Sequence, residues 1–290
     1  MQQVPEAPPG FYLKTEFITS EQEAQLLNIF RNELVWPIRS EAPQEKHGRL
    51  GLSPNLPPSR LSLHYGHHFC YKFFGIDTSI PYVPFPPWLK AVLPWFCPSS
   101  PNYDPASVKD YHLDMPARDP EQVCLQYYPP GAGIPPHADT HSAFESLMGL
   151  SLGSGVAMEF RRRHAKTGDA RPSGTIGTDG SDQDWDWDKR EVFVPPRSLY
   201  NMSSDSQYHF QHGIKKRKND RLIMPAPEDS SDGASHKVVR RGERFSITFR
   251  WVRNPAVCEC GDEWLCDTAM RRNGVERVLR WKGDASNNKS

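Results

Sequence analysis

The sequence predicts a mainly β fold, a sandwich or barrel with flanking helices, on three observations. From about residue 122 seven short runs alternate apolar with polar residues or are rich in aromatics (VCLQYY, SLMGLSL, VAMEFR, EVFV, SLYNMS, YHFQHGI and RFSITFRWV), with turn residues between them. Twenty-eight prolines in 290 residues work against an all-helical chain. A chain of this length buries about three quarters of its unfolded surface, so a continuous core is within reach. A hydrophobic fraction of 37% beside 24% charged residues excludes wholesale disorder, collagen and coiled coil.

Taken in order, residues 1–9 read as a flexible tail. Ser20 as N-cap with Glu23 three residues on makes a capping box. Leu26, Leu27, Phe30 and Leu34 follow at helical spacing up to Trp36-Pro37, which predicts an amphipathic helix. Residues 37–60 and 79–105 are rich in Pro and read as ordered loops around short elements. Segments 164–190 and 225–239 are rich in Gly, Ser, Asp and Pro, and read as polar surface insertions between strands. There is no internal repeat, no Walker-type GK[ST] and no GxGxxG. No apolar run approaches the roughly 20 residues that span a bilayer. The start, MQQVPEAPPGFYL, has neither a basic n-region nor an apolar h-region, so the expectation is a soluble cytoplasmic protein, also compatible with the nucleus, and no membrane partner. Thirty-five basic and thirty-five acidic residues cancel, so affinity for nucleic acid has to come from a local patch.

Candidate chemistry begins at His137-Ala138-Asp139, which follows the 123–128 run and a Pro-Pro-Gly-Ala-Gly turn. Alternate residues of an extended segment point the same way, so an imidazole and a carboxylate can reach one ion. A third ligand from YHFQHGI, His212, would complete two His and one carboxylate, the facial triad that holds Fe(II) with open positions. His209 competes with it from the opposite strand face, while Tyr208 and Phe210 share the parity of His212 and could wall a pocket mouth. A second His-x-Asp, His112-Leu113-Asp114, lies in a charged stretch without a flanking β run and is the weaker site. Arg244 and Arg250 lie six apart in RFSITFR, on one strand face with Ser246 and Thr248, and guanidinium forks match carboxylates bidentately. A solvated edge strand is the plain alternative. Of six cysteines, Cys70, Cys97 and Cys124 sit in apolar stretches as packing thiols. Cys258, Cys260 and Cys266 cluster within nine positions, as metal ligands do in reducing compartments. A closed zinc site wants four ligands, and His141 is the candidate for the fourth.

These residues carry a resemblance. The string LQYYPPGAGIPPHADTHSAFE, then LSLGS, MEFR, HGI and RGERFSITFR, resembles the AlkB family of Fe(II)/2-oxoglutarate dioxygenases, within it the branch called AlkB homologue eight, which hydroxylates a modified wobble uridine in tRNA. The resemblance spans roughly residues 10–268. It implies a double-stranded β-helix, or jelly-roll, core with an N-terminal α/β layer outside, and iron ligands at His137, Asp139 and His212. Arg244 would pair the distal carboxylate of 2-oxoglutarate and Arg250 would lie near its metal-chelating end. Tyr128 would hydrogen-bond the cosubstrate, with Gln126 and Ser246 standing where the bacterial enzyme carries Asn. It also implies a zinc site of His141, Cys258, Cys260 and Cys266, which would make residues 255–268 a zinc segment followed by a tail at 269–290.

For the substrate, residues 214–253 carry four Lys and seven Arg against five acidic residues. Arg161, Arg162, Arg163 and His164 end another run, so a patch for RNA phosphates is expected beside the pocket. No RNP1-like motif and no appended methyltransferase domain are present, so a tRNA methyltransferase is expected as a separate partner chain. The expected function is therefore a dioxygenase acting on tRNA. A nucleic-acid demethylase or protein hydroxylase shares its chemistry, and a non-catalytic RNA-binding relative stands as the third reading.

Overall fold

The computed structural model describes residues 1–39, 45–52, 59–70, 75–95, 118–141, 144–165, 185–224, 235–253, 257–262 and 264–272. Two antiparallel sheets form the body. The larger has seven strands in the order Gln2–Gln3, Phe11–Lys14, Ser198–Met202, Phe144–Gly153, Arg244–Val252, Gln122–Tyr128 and Leu61–Gly66. The smaller has four, in the order Trp185–Val194, Val156–Ala165, Gln211–Ile214 and Ile134–His137. Leu147, Tyr200 and Met202 of the large sheet pack on Met158, Phe160, Val192 and Val194 of the small one, so the two face each other as a jelly roll.

Period-two alternation divides the labour of the Arg244–Val252 strand. Phe245, Ile247, Phe249 and Trp251 are fully buried on the outer side, against Leu26 and Phe30 of the N-terminal helical segment and Leu89 of the helix Pro87–Val92. Arg244, Ser246, Thr248 and Arg250 therefore face the other sheet. Truncating one of the outer rings to Ala costs about 3–5 kcal/mol.

The first helix, Ser20–Asn28, starts one residue earlier than expected. Thr19 is the N-cap: its Oγ1 accepts from Gln22 N at 3.2 Å, and the Gln22 side-chain Oε1 accepts from Thr19 N at 2.9 Å. Glu23 is thereby turned inward, where it accepts from Gly153 N at 2.8 Å and pairs with Arg197 at 3.2 Å, tying the helix to a strand end. The helix widens into a π turn at Ile29–Glu33 and ends there with Leu34 extended; Trp36, which opens the strand Trp36–Arg39, donates its indole N–H to Phe30 O at 2.8 Å.

Three further expectations change. Residues 1–9 are docked: Gln2 and Gln3 pair with Leu13 and Tyr12, and Ala7, 2% exposed, accepts from Arg190 through its carbonyl. The ranges 164–190 and 225–239 begin or end inside strands. Trp185–Val194 pairs with Val156–Ala165 along its whole length, and Ser235–Arg240 pairs with Asn219–Met224. Strand parity fails at Tyr208 and His209, because Ser204–Tyr208 is a helix and the strand begins at Gln211. Cys97, His112 and Asp114 lie outside the described residues, as does 273–290 beyond the helix Asp267–Arg272. No helix among the described residues is long and apolar enough to cross a membrane.

Candidate active site

The site is built where two short strands of the small sheet nearly touch. A Cβ on Gly213 would lie 2.8 Å from Pro136 N and 2.9 Å from Ile134 O, so only glycine permits this approach. The pairing sets His212 opposite His137, with ring centroids 4.4 Å apart. Asp139 follows two residues beyond His137. Its Oδ2 is 3.9 Å from His212 Nε2, and its Oδ1 is 3.5 Å from Arg250 Nη2.

The electrostatics suit a cation. Burial, reinforced by the neighbouring His137, drives His212 down to about 3. Burial also lowers His137, against the pull of Asp139. Burial works to raise Asp139, but Arg250 and the two imidazoles outweigh it and hold the carboxyl below its ordinary value. Two neutral imidazoles and an ionised carboxylate are the protonation states a divalent metal requires. His137 Nδ1 lies 2.9 Å from Pro135 O, an acceptor only, so Nδ1 carries the proton and Nε2 is left to ligate. Asp139 Oδ2 is buried with no hydrogen-bond partner, which in a closed interior is costly and fits a ligand atom awaiting its ion.

These groups line a pocket of about 430 Å³, open mouth included, whose far wall is the even-numbered face of the Arg244–Val252 strand. Arg244 Nε donates to Ser151 Oγ at 3.1 Å, and its guanidinium lies 5.2 Å from the Tyr128 ring centre. Its Nη2 is buried without a partner, as expected of a fork that waits for a carboxylate. The Tyr128 hydroxyl donates to Gln126 Oε1 at 2.6 Å, and Ser246 Oγ reaches the same oxygen at 3.4 Å. Seven of the eight residues expected for iron and cosubstrate line this one cavity, and Ser246 is linked to it through Gln126. The sequence did not single out Ser151, Tyr200, Leu147, Met158 and Met202. They are ordinary strand residues whose only signal is inward parity. Tyr200 needs Gly149 opposite it, because a Cβ there would stand 2.1 Å from the phenol Cζ.

A second cluster lies two residues along the same lip. His141 Nδ1 and the thiols of Cys258, Cys260 and Cys266 come within 4.8 Å of one another, with His141 and two of the cysteines buried. The hydrogen bond between Cys260 and Cys266 holds the Cys266 thiol well below its ordinary value and pushes the Cys260 thiol up. Burial opposes charge on His141, yet hydrogen bonds to Cys258 and Cys266 raise it to about 9. His209, the rival third ligand, instead bonds Asp262 of the cysteine loop at 2.9 Å, and Tyr208 packs edge-on against His141. Phe210 is buried in the inter-sheet core.

The basic stretch after His212 is largely consumed internally. Arg217 and Arg241 hold Asp220, and Lys215 pairs with Glu159 and Glu191.

The family model of the 2OG-Fe(II) oxygenase superfamily matches residues 10–250. Among curated proteins, the chain is 30% identical over 270 residues to the tRNA (carboxymethyluridine(34)-5-O)-methyltransferase alkbh8 of Xenopus tropicalis, covering 91% of this chain and 35% of that protein. It is 31% identical over 267 residues to the mouse protein of the same description, covering 90% and 33%. It is 32% identical over 270 residues to the Alkylated DNA repair protein ALKBH8 homolog of Arabidopsis thaliana, covering 91% and 64%. The chain thus spans about a third of the animal relatives and less than two thirds of the plant one. With iron and 2-oxoglutarate as its cofactors, the chain belongs to the 2OG-Fe(II) oxygenase superfamily, as an AlkB-type dioxygenase similar to ALKBH8 proteins.

Proposed function

We propose that this chain hydroxylates a modified wobble uridine in tRNA, with His137, Asp139 and His212 as the iron ligands. The observation that carries the chemistry is the meeting of two neutral imidazoles and a half-engaged carboxylate across the Gly213 contact. What carries the substrate is the likeness, over nine tenths of the chain, to proteins whose descriptions name a tRNA uridine at position 34. When bound, Fe(II) and 2-oxoglutarate supply oxygen activation, coupling the decarboxylation of 2-oxoglutarate to succinate with oxidation of a substrate C–H bond.

The chain's own residues bind, orient and exclude. Arg244, fixed by Ser151 and the Tyr128 ring, receives the distal carboxylate. Arg250 holds Asp139 Oδ1 and so leaves Oδ2 toward the metal. Gln126, anchored by the Tyr128 and Ser246 hydroxyls, lines the cosubstrate bed. Leu147, Met158 and Met202 keep the pocket wall apolar and limit water. The expected outcome of incubating the chain with hypomodified tRNA, Fe(II) and 2-oxoglutarate is a gain of 16 mass units on the wobble nucleoside, the mass of one oxygen atom, with matching succinate. Succinate without any change in tRNA nucleosides would overturn the substrate. The description of the Arabidopsis relative favours a second reading, demethylation of alkylated nucleic acid, which would release formaldehyde instead.

For the second cluster the proposal is a structural zinc held by His141, Cys258, Cys260 and Cys266, one imidazole and three thiolates in the proportion of a closed tetrahedral site. It would pin the segment after residue 257 to the lip that carries Asp139. Elemental analysis is expected to find one zinc per chain that survives His212→Ala and is lost in Cys260→Ser, with a lower melting temperature. Metal-replete protein without zinc would dismiss it. Residues 10–268 are proposed as one oxygenase domain.

A further inference from the structure

We propose that His209 and Asp262 are positioning residues for the iron site. Their hydrogen bond anchors the cysteine segment beside the His212 strand, and the cluster of His141 with the three cysteines carries that anchor across to Asp139, so that filling one metal site tightens the other. The proposal rests on the iron and zinc readings above and adds a coupling between them.

The three iron ligands are not held alike. His212 is paired on both sides, with Phe160 in one neighbouring strand and His137 in the other, and His137 is the last residue of its own strand. Asp139 stands beyond both ladders, in the stretch before the strand that opens at Phe144. Among the described residues, the one hydrogen bond on its carboxylate is the long one from Arg250, at 3.5 Å. A ligand on such a lip is placed by whatever holds the residues next to it. Two residues on, His141 is 1% exposed, with its Nδ1 3.4 Å from Cys260 Sγ.

The cysteine segment is in turn fastened at its far side. Asp262 lies between Cys260 and Cys266. Its Oδ1 accepts from Trp264 N and Leu265 N, both at 2.9 Å, and its backbone carbonyl accepts from Cys266 N at 3.0 Å, which shapes the loop that presents these two thiols. Oδ2 is left to reach His209 Nδ1 at 2.9 Å, with the His209 and Asp262 side chains only 20% and 12% exposed. A carboxylate oxygen accepts and cannot donate, so Nδ1 carries the proton. His209 is a firm anchor: its amide donates to Asp205 O at 2.8 Å, and the next residue, Phe210, is 1% exposed in the core between the sheets, two positions before His212. Tyr208, on the other side of His209, packs edge-on against His141. A bracket thus runs from the His212 strand through Asp262 and the cluster to the lip of Asp139, and an ion held by His141 and the thiols makes it stiff. Two sites joined by one stiff element raise each other's affinity by the same factor in both directions.

The test is the affinity of the iron site for Mn(II), read from the loss of the free-ion EPR signal in the full chain, with zinc content measured on the same samples. Mn(II) suits carboxylate ligands and competes poorly for thiolates. His209→Ala changes no metal ligand; it is expected to keep its zinc and to weaken Mn(II) binding about fivefold or more. His209→Asn sets an amide N–H where Nδ1 stood and should recover most of that loss, which a mere packing role for the ring would not show. In zinc-free Cys260→Ser the Mn(II) affinity is already reduced, and adding His209→Ala should reduce it no further, because the anchor acts through the zinc site. In the wild type, Mn(II) should raise the apparent zinc affinity against a zinc-selective chelator by the factor that zinc raises Mn(II) affinity. Unchanged Mn(II) affinity in His209→Ala, or equal losses from it with and without zinc, would overturn the coupling, while zinc content and wild-type Mn(II) binding keep the two metal readings. A metal-replete wild type without zinc would overturn the zinc reading and the coupling together, and one that binds no Mn(II) would do the same to the iron reading and the coupling.

Discussion

Asp220 is fully buried and the Asp139 side chain is only 11% exposed, yet the protein treats these two aspartates in opposite ways. Asp220 has its acceptor capacity filled: Oδ1 takes Arg217 at 2.7 Å and Arg241 at 2.6 Å, while Oδ2 takes Arg241 at 2.7 Å and Ala157 N at 3.0 Å. Asp139 has one long hydrogen bond, from Arg250 to Oδ1, and none on Oδ2, where His212 Nε2 stands 3.9 Å away. A buried carboxylate is expensive unless every lone pair is answered. The saturated one is a structural rivet, and the unsaturated one is kept open for a ligand. Arg244, with its buried and unanswered Nη2, belongs with Asp139.

Substitution should separate the two kinds. The largest effect is expected from Asp139→Ala: succinate formation disappears, while the metal-free protein melts within a few degrees of wild type. Turnover retained at full iron loading would break the contrast. Next, Arg244→Ala leaves the cosubstrate carboxylate buried without a partner, worth about 3–5 kcal/mol. The KM for 2-oxoglutarate should therefore rise about a hundredfold to several thousandfold, and an unchanged KM would reject the role. Smallest in activity is Asp220→Ala, a folding mutation. It strands the Arg241 guanidinium and should cost about 3–5 kcal/mol by urea denaturation, with KM for 2-oxoglutarate unmoved in whatever fraction stays folded.

The same pair gives a pH dependence. Burial tends to raise Asp220, but its bonds to Arg241, Ala157 N and Arg217 hold the carboxyl below the ordinary 3.8. The unfolded chain thus takes up this proton first as acid is added. Asp220 stabilises fully above 3.8, and its contribution fades as pH falls through the lower folded value. The difference in stability between wild type and Asp220→Ala should accordingly narrow below pH 4, as acid titration of the unfolding midpoint will measure. A difference that widened in acid would reverse the sign of the argument.

Much of the site was legible because it sits on strands, where a period of two is unambiguous. Arg244, Ser246 and Arg250 share a face by arithmetic, and the structure keeps them there. Legibility failed where the backbone left that period. Tyr208 and His209 read as strand residues, but Ser203 caps a short helix through them, and their side chains turn to the cysteine loop. Ser20 is the better cap by residue type, but the structure caps the helix at Thr19, which lets Glu23 reach Gly153 and Arg197. The polar stretches at 185–190 and 235–239 hid strands because their partners, 156–165 and 219–224, supply the pairing. Tyr200 and Met158 could not be singled out, since an inward strand residue looks the same over a core as over a pocket.

The Arg244–Val252 strand has a consequence for how this enzyme can change over time. Insertion or deletion of one residue anywhere between Arg244 and Arg250 would rotate the downstream half of the strand, sending aromatic rings into the reaction chamber and guanidinium groups into oil. Lineages can therefore explore new cosubstrate chemistry here by exchanging side chains at alternate sites, while length variation must be absorbed by the loops.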